Sequence, residues 1–164
     1  MSSKWLGLVY GAPTEAANNT AKLVAAGAAG VTDLVLDIYE DLYIDALTLN
    51  DNSCIFKSVK ITSLVGKTLY LTGTGSLFTI SSGGTFDIQP GTTIIAPTDT
   101  QFRLVATPYN QDTRIERFSI VGSTISGWVR FIVETNKYWT QDPAVFINGV
   151  SKINIKGNTF SLIS

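Results

Sequence analysis

The chain has 164 residues, of which 45% are hydrophobic and 15% charged, and its formal net charge is −1. This length fits one domain with a substantial core, while the near-neutral charge and the lack of basic clusters argue against nucleic acid or an anionic membrane as a partner. The sequence contains no histidine, which excludes Ser-His-Asp and Cys-His catalytic pairs and the usual zinc sites.

Cysteine chemistry and membrane insertion are also disfavoured. Cys54 is the single cysteine and lies in an apolar run, so we expect a buried, inert thiol. No window approaches the roughly 18 apolar residues of a membrane span. The early run K-W-L-G-L-V-Y-G-A is too short and too interrupted by glycine for a typical secretory signal. We expect no cofactor and no bound metal.

The first elements in the chain are a turn and a helix. Residues 1–14 show no hydrophobic period and end in the turn-forming sequence G-A-P-T. Asn18 or Asn19 can then cap an alanine-rich helix that ends at Gly27 or Gly30. We predict an N-terminal extension at residues 1–14 and one folded domain at residues 15–164.

After Val31 the hydrophobic period changes from about 3.6 to 2, which predicts strands. Residues 33–38 and 42–49 form the first two, and shorter runs follow at residues 56–61, 68–71, 77–80, 86–88, 92–95 and 102–105. The connections, such as T-G-T-G-S and S-S-G-G-T, favour turns. Antiparallel hairpins and the corners of a solenoid both fit strands this close together.

An internal repeat distinguishes these alternatives. Residues 118–126 read F-S-I-V-G-S-T-I-S, and residues 153–161, which lie 35 positions later, read I-N-I-K-G-N-T-F-S. A fixed period of this kind indicates stacked repeats. The alignment pairs Phe118 with Ile153, Ile120 with Ile155, Gly122 with Gly157 and Ile125 with Phe160.

A second period suggests the size of each turn of the solenoid. Leu71, Ile95 and Ile120 are spaced 24 and 25 residues apart, which predicts three short strands per turn. We expect these three residues and Ile155 to form one continuous stack. The last interval is longer, and residues 134–143 should protrude as a loop, with a smaller protrusion at residues 107–113.

Several segments together resemble a known family. They are Tyr10-Gly11-Ala12, Asn19-Thr20-Ala21 with the helix to Gly30, the strand at residues 34–37, and the two I-x-I-x-G-N-T-I-like segments. The chain resembles the right-handed parallel β-helix proteins of the pectate-lyase-like group, especially bacteriophage tailspikes and related receptor-binding or structural proteins. The resemblance implies an all-β fold, namely a right-handed parallel β-helix with three strands per coil and a short N-terminal capping α-helix.

The resemblance also implies a function. We expect a bacteriophage structural protein, such as a tailspike, a tail fibre or a capsid-surface fibre. It would be a rigid homotrimer that is assembled in the host cytoplasm, resides in the virion, and displays loops to a host surface polysaccharide or to other virion proteins.

Aromatic side chains beside polar groups suit sugar stacking and protein interfaces. On this basis the candidates for glycan or partner binding are Tyr109, Trp128, Tyr138, Trp139 and Asp142. Trp128 begins a strand-like run, so packing against a neighbouring chain is an alternative role. The candidates for virion attachment are Trp5, Leu6, Leu8 and Val9, which could add a strand to another structural protein.

A polysaccharide depolymerase, or its N-terminal part, is the alternative function, because glycosidases need two carboxyl groups across a groove. Asp112 with Glu116 and Glu134 with Asp142 lie at the predicted protrusions. Solvated loops carry acids in any case, so we predict no catalytic residue and disfavour an enzyme.

Two further sets of charged residues have alternative interpretations. Arg114, Arg117 and Arg130 could supply the base of a lyase, although no acidic triplet accompanies them. The acidic residues Asp37, Glu40, Asp41 and Asp45 are expected to form a solvated face, and the alternative is a metal site between chains.

Overall fold

The computed structural model describes residues 1–46, 55–108, 113–133 and 148–162. The described part is mostly β-strand, with α1 at Ala16–Ala28 and short 3-10 turns at Ser3–Trp5 and Pro13–Glu15. No described helix combines the length and the hydropathy needed to cross a bilayer. The strands are β1 Asp33–Ile38, β2 Leu42–Asp45, β3 Ile55–Ser63, β4 Thr68–Thr72, β5 Gly75–Ile88, β6 Thr93–Ile95, β7 Phe102–Ala106, β8 Thr113–Val121, β9 Thr124–Gly127, β10 Val129–Val133, β11 Asn148–Lys156 and β12 Thr159–Leu162.

All strand pairs in the described residues are parallel, and they form two sheets. The first sheet has the order β1-β3-β5-β7-β10, with β8 also paired to β5 and to β11. The second sheet has the order β12-β9-β6-β4-β2. The prediction of an all-β fold is confirmed, and the hairpin alternative is wrong for this part of the chain. Hairpins would place consecutive strands side by side in antiparallel pairs.

The pairings divide the strands into three rows that the chain visits in a fixed order. Row 1 contains β1, the later part of β3, the end of β5, β8 and β11. Row 2 is the second sheet. Row 3 contains the start of β3, the start of β5, β7 and β10. The chain passes from row 1 to row 2 to row 3 and then returns to row 1, so each circuit lies beside the preceding one.

The 35-residue repeat sets the register of the last circuit, as the sequence predicts. Phe118 pairs with Ile153 and Ile120 pairs with Ile155 in row 1, while Ile125 pairs with Phe160 in row 2. The corner between the rows repeats as well, because Gly122 and Gly157 both have a positive φ, 59° and 66°. The amide of Asn158 joins the two corners by donating to the Ile120 carbonyl (2.8 Å) and accepting from the Ser123 N–H (2.9 Å).

The predicted stack of Leu71, Ile95, Ile120 and Ile155 is wrong. Leu71 and Ile95 belong to row 2 and are out of register, because Ile95 pairs with Tyr70. Ile120 and Ile155 belong to row 1. The sequence T-I-I contains two adjacent isoleucines, and the side chain that enters the core is that of Ile94, whereas Ile95 is 39% exposed. The actual inward stack of row 2 is Leu42, Leu69, Ile94, Ile125 and Phe160.

Phenylalanine rings join the rows inside the core. Neighbouring ring centroids lie 5.4 to 6.4 Å apart, within the range in which aromatic pairs attract one another beyond simple burial. Because members come from all three rows, this chain of rings connects successive circuits. Its members are Phe56, Phe78, Phe86, Phe118, Phe131 and Phe160.

The helix begins earlier than predicted, and Asn19 is not its N-cap. Helix α1 starts at Ala16, so Asn19 lies inside it and is fully buried. The Asn19 amide donates to the carbonyls of Val9 and Tyr43 (3.0 Å each) and accepts from the Val9 N–H (2.8 Å). Asn19 therefore fastens the N-terminal segment and β2 to the helix.

Residues 1–10, which the sequence predicts to be part of an extension, cover the first edge of the stack. Ser2 pairs in parallel with Val35 of β1, and the Met1 carbonyl accepts from the Val35 N–H (2.8 Å). The hydroxyl of Ser3 accepts from the Asp37 N–H (2.8 Å). Together with α1, which packs on β2, this segment covers edges that would otherwise present unpaired backbone groups.

Replacing Asn19 by Ala is expected to destabilise the fold by about 2–4 kcal/mol, because a fully buried amide is removed and the backbone groups of Val9 and Tyr43 lose their partners. Chemical denaturation measures the free energy of unfolding. Asn18→Ala is the matched control, since Asn18 is exposed and its side-chain amide donates to the Glu15 carboxylate one turn earlier. Equal effects of the two substitutions would contradict the role of Asn19.

Gly127→Ala is expected to cost more than about 3 kcal/mol of unfolding free energy, because an added Cβ would overlap the Ala96 carbonyl oxygen at a residue whose φ is +104°. Gly91→Ala provides the control, since its φ is +85° and nothing lies near its Cβ position. The control should show only the backbone strain of about 1–2 kcal/mol. Similar losses for both variants would show that the close approach of Gly127 to Ala96 is unimportant.

Candidate functional site

The outer face of the second sheet contains few charged residues. Burial alternates along its strands, so Leu42, Leu69 and Ile94 point into the core while their neighbours point outward. The outward positions carry Tyr, Thr, Ser and Ile, and in the described part of this sheet Asp45 is the one charged residue among them. The Asp45 carboxylate accepts from the Ala46 N–H (3.0 Å) and the Thr72 hydroxyl (3.2 Å).

The outer face of row 1 is more highly charged than the outer face of the second sheet. Its outward positions carry charges of both signs in neighbouring registers, and the Arg117 guanidinium binds the Asp87 carboxylate through two contacts of 2.8 and 2.7 Å. Charged residues are typical of solvated surfaces and are depleted at the centres of protein interfaces. The second sheet is therefore the better candidate for a contact surface. The charged outward residues of row 1 include Asp33, Asp37, Lys60, Asp87, Arg117 and Lys152.

An open groove of about 550 Å³ lies on this charge-poor face. Its surface is mostly apolar, and Asp99 is the one charged residue among the described side chains that line it. The groove spans β2, β4 and β6 and the turns that follow β4 and β6. Its wall includes Tyr43, Tyr70, Ile95, Pro97, Asp99 and Thr100.

Two stacked tyrosines form the centre of the groove. Tyr43 pairs with Tyr70 and Tyr70 with Ile95 in consecutive strands, and the tyrosine rings lie 4.6 Å apart at 8°. Burial raises the pKa of Tyr43 above 10.0, and the neighbouring Tyr70 and Asp41 raise this pKa further. Because the ring faces cover each other, the pair provides a rigid apolar surface rather than two free platforms for sugars.

Of the predicted glycan- or partner-binding residues, the structure describes Trp128. This half-buried residue lies between β9 and β10, where its N–H donates to the Pro97 carbonyl (2.7 Å) and its carbonyl accepts from the Phe102 N–H (2.9 Å). Trp128 is thus bonded to a residue of the groove wall. Tyr109, Tyr138, Trp139 and Asp142 lie outside the described residues.

The predicted attachment residues lie on the segment that covers the first edge. Trp5 is 82% exposed and Val9 is 39% exposed. Leu6 is half-buried against the core, and Leu8 is buried within it. In this conformation, Trp5 and Val9 are accessible to another protein and Leu8 is not.

Two of the four described charged candidates, Glu116 and Arg117, are held in ion pairs. Glu116 lies 3.6 Å from the Lys152 ammonium, while Asp112, Glu134 and Asp142 lie outside the described residues. Hydrogen bonding to Asp87, followed by its charge, raises the pKa of Arg117, which makes this guanidinium a poorer base for a lyase. Arg114 and Arg130 are exposed.

The acidic residues near the cap have separate partners. Asp37 lies 3.6 Å from the Lys4 ammonium, Glu40 binds Lys67 at 3.0 Å, and the Asp41 carboxylate accepts from the Thr68 N–H (2.9 Å). Within the described ranges, no three Asp, Glu, Cys or His side chains are placed to hold a metal ion.

Comparisons with protein families, with curated proteins and with solved structures returned no match to this chain. The candidate site therefore depends on the geometry of the groove and its surroundings. The sequence did contain a signal for it, since Tyr43 and Tyr70 are 27 residues apart and Tyr70 and Ile95 are 25 apart. The sequence prediction pairs Ile95 with Leu71 instead of Tyr70, and this shift of one residue hides the signal.

We expect Tyr43 to ionise above pH 10, because the fold favours its neutral form. The unfolded chain ionises first, so the stability that Tyr43 contributes is present below pH 10 and is lost as the pH rises from 10 through the folded-state pKa. Absorbance titration at alkaline pH measures this ionisation. Tyr43→Phe should remove a late-titrating component, and an unchanged titration curve would contradict the prediction.

Proposed function

We propose that the chain is a right-handed parallel β-helix with three strands per coil and that it serves as a bacteriophage structural protein, such as a tailspike, a tail fibre or a capsid-surface fibre. The observation that carries this proposal is the fixed order in which the chain visits three parallel rows. The right-handed sense follows from the strong preference of parallel crossover connections. The resemblance of the N-terminal segment to phage β-helix proteins supplies the virion context.

Rigidity suits this role. The inward stacks and the chain of phenylalanine rings run through all the circuits, and residues 1–10 with α1 cover the first edge. Because each circuit pairs with its neighbours in all three rows of strands, the scaffold fixes the points at which its connections begin and end. In the proposed homotrimer, these connections reach a host surface polysaccharide or other virion proteins. Exposed Trp5 and Val9 are the residues we assign to virion attachment.

The geometry supports display more than catalysis. Arg117 is bound to Asp87, and Glu116 is near Lys152, so neither is poised for proton transfer. The residues that we assign to glycan contact, Tyr138 and Trp139, belong to the connection between β10 and β11. That connection adds residues between rows 3 and 1, and insertions of this kind map to one side of a solenoid.

The test is incubation of the purified chain with capsule or O-antigen polysaccharide from candidate hosts. We expect binding without shortening of the polysaccharide, and we expect Trp139→Ala to weaken binding by about tenfold, since one lost stacking contact is worth roughly 1–1.5 kcal/mol. Trp5→Ala is the matched aromatic control and should bind as the wild type does.

Release of short oligosaccharides would contradict this proposal. If that release also disappeared in Glu134→Gln or Asp112→Asn, the chain would be a depolymerase that uses a carboxylate pair. A further outcome is that the chain binds no polysaccharide but binds a virion protein, with the latter binding abolished by Trp5→Ala. That result would support the structural role and contradict the proposed contact with a host polysaccharide.

A further inference from the structure

An exposed apolar turn lies beside the charge-poor face. Between β3 and β4, Val65 is 95% exposed and Leu64 is 58% exposed. The turn is held by hydrogen bonds from the Leu64 N–H to the Ile38 carbonyl (3.0 Å) and from the Lys67 N–H to the Leu64 carbonyl (3.1 Å). Its apolar side chains are therefore presented on a fixed backbone, so little conformational entropy is lost when a partner buries them.

The turn is level with the middle of the groove along the stack, because the turn joins β4 and the groove spans β2, β4 and β6. The apolar turn directly precedes β4, and the groove is lined by Tyr70 in the middle of that strand and by Gly73 just beyond its far end. A five-residue strand spans about 17 Å, so the turn lies at one end of β4 while the groove covers the middle and the other end of the same face. Copies with parallel axes and no axial shift can therefore bring the turn of one against the groove of the next.

We infer that the outer face of the second sheet is an interface between copies of this chain, in which Leu64 and Val65 of one copy enter the tyrosine groove of the next. This inference rests on the proposed function, because it identifies the surface through which the proposed homotrimer assembles. The contact joins two different surfaces of neighbouring copies. Such contacts form a closed ring when the rotation that relates one copy to the next divides a full turn evenly. On a three-sided coil, the turn lies at one corner of this face and the groove extends from the middle of the face to the opposite corner, so three copies close with that face toward the axis.

The composition of the face argues for a second copy rather than for a charged partner. An acidic or basic protein would need several complementary charges, whereas the outward Asp45 is already bonded to Ala46 and Thr72 and Asp99 is the one charged residue among the described side chains of the groove. Interface centres lack charges and are rich in tyrosine, as this face is with Tyr43 and Tyr70. The charged face of row 1 would remain in solvent.

The experiment measures the mass of the full chain in solution at micromolar concentration by light scattering. The wild type should have three times the monomer mass of 17.7 kDa, and Val65→Asp should reduce it to the monomer mass. Trp5→Asp is the matched control, because it also places a charge at an exposed apolar residue, and its mass should not change. Circular dichroism should show both variants folded, since Val65 is almost fully exposed.

Cross-linking tests the same contact without disrupting it. In a Cys54→Ser background, a chain carrying Val65→Cys and Thr100→Cys should form covalent dimers and trimers on oxidation, while each single-cysteine chain should not. Equal cross-linking by the single-cysteine chains would overturn the inference.

The outcomes separate the two proposals. A trimer that persists in Val65→Asp would overturn this interface and leave the proposed function standing. A monomeric wild type would overturn the interface and the homotrimer, while the polysaccharide assay would still decide the display role. A trimer lost in Val65→Asp and kept in Trp5→Asp supports the interface.

Discussion

The parallel pairing of each circuit with the one before it is the constraint on which this structure depends. Each strand of a row bonds to strands one circuit away, so a residue that points inward in one circuit lies against an inward residue of the next. A shift of one position would turn every inward side chain outward. The 35-residue repeat, with matched glycines and apolar residues, enforces this register in the last circuit.

The same constraint explains the unusual use of the N-terminal residues. A stack of strands ends in unpaired backbone groups that must be covered or bonded. Here residues 1–10 and helix α1 cover part of the first edge. Asn19 holds this arrangement with three hydrogen bonds to backbone groups of Val9 and Tyr43. A polar residue that looks like a helix cap in the sequence is thus a cross-link between the cover and the first strand of row 2.

The sequence predicts the secondary structure and the repeat better than it predicts the face exposed by each strand. The fixed period and the glycine corners identify parallel pairing because they are local and repeated. Runs such as T-I-I-A are ambiguous, since either isoleucine can point inward, and Ile94 does so through its pairing with Leu69. The groove was missed for the same reason, because Tyr43, Tyr70 and Ile95 become neighbours only once this register is known.

The spacing between paired strands determines how this protein must acquire its fold. The shortest separation between paired residues of two described strands is 24 positions, from Ile55 to Thr79. Neither of the two described sheets can therefore form until about two circuits of the chain are available, and each of their pairings must first close a long loop. Proteins dominated by such distant contacts fold slowly. A newly synthesised chain accordingly exposes its apolar strands for longer than a hairpin protein would, and this exposure favours encounters with other copies before each monomer is complete.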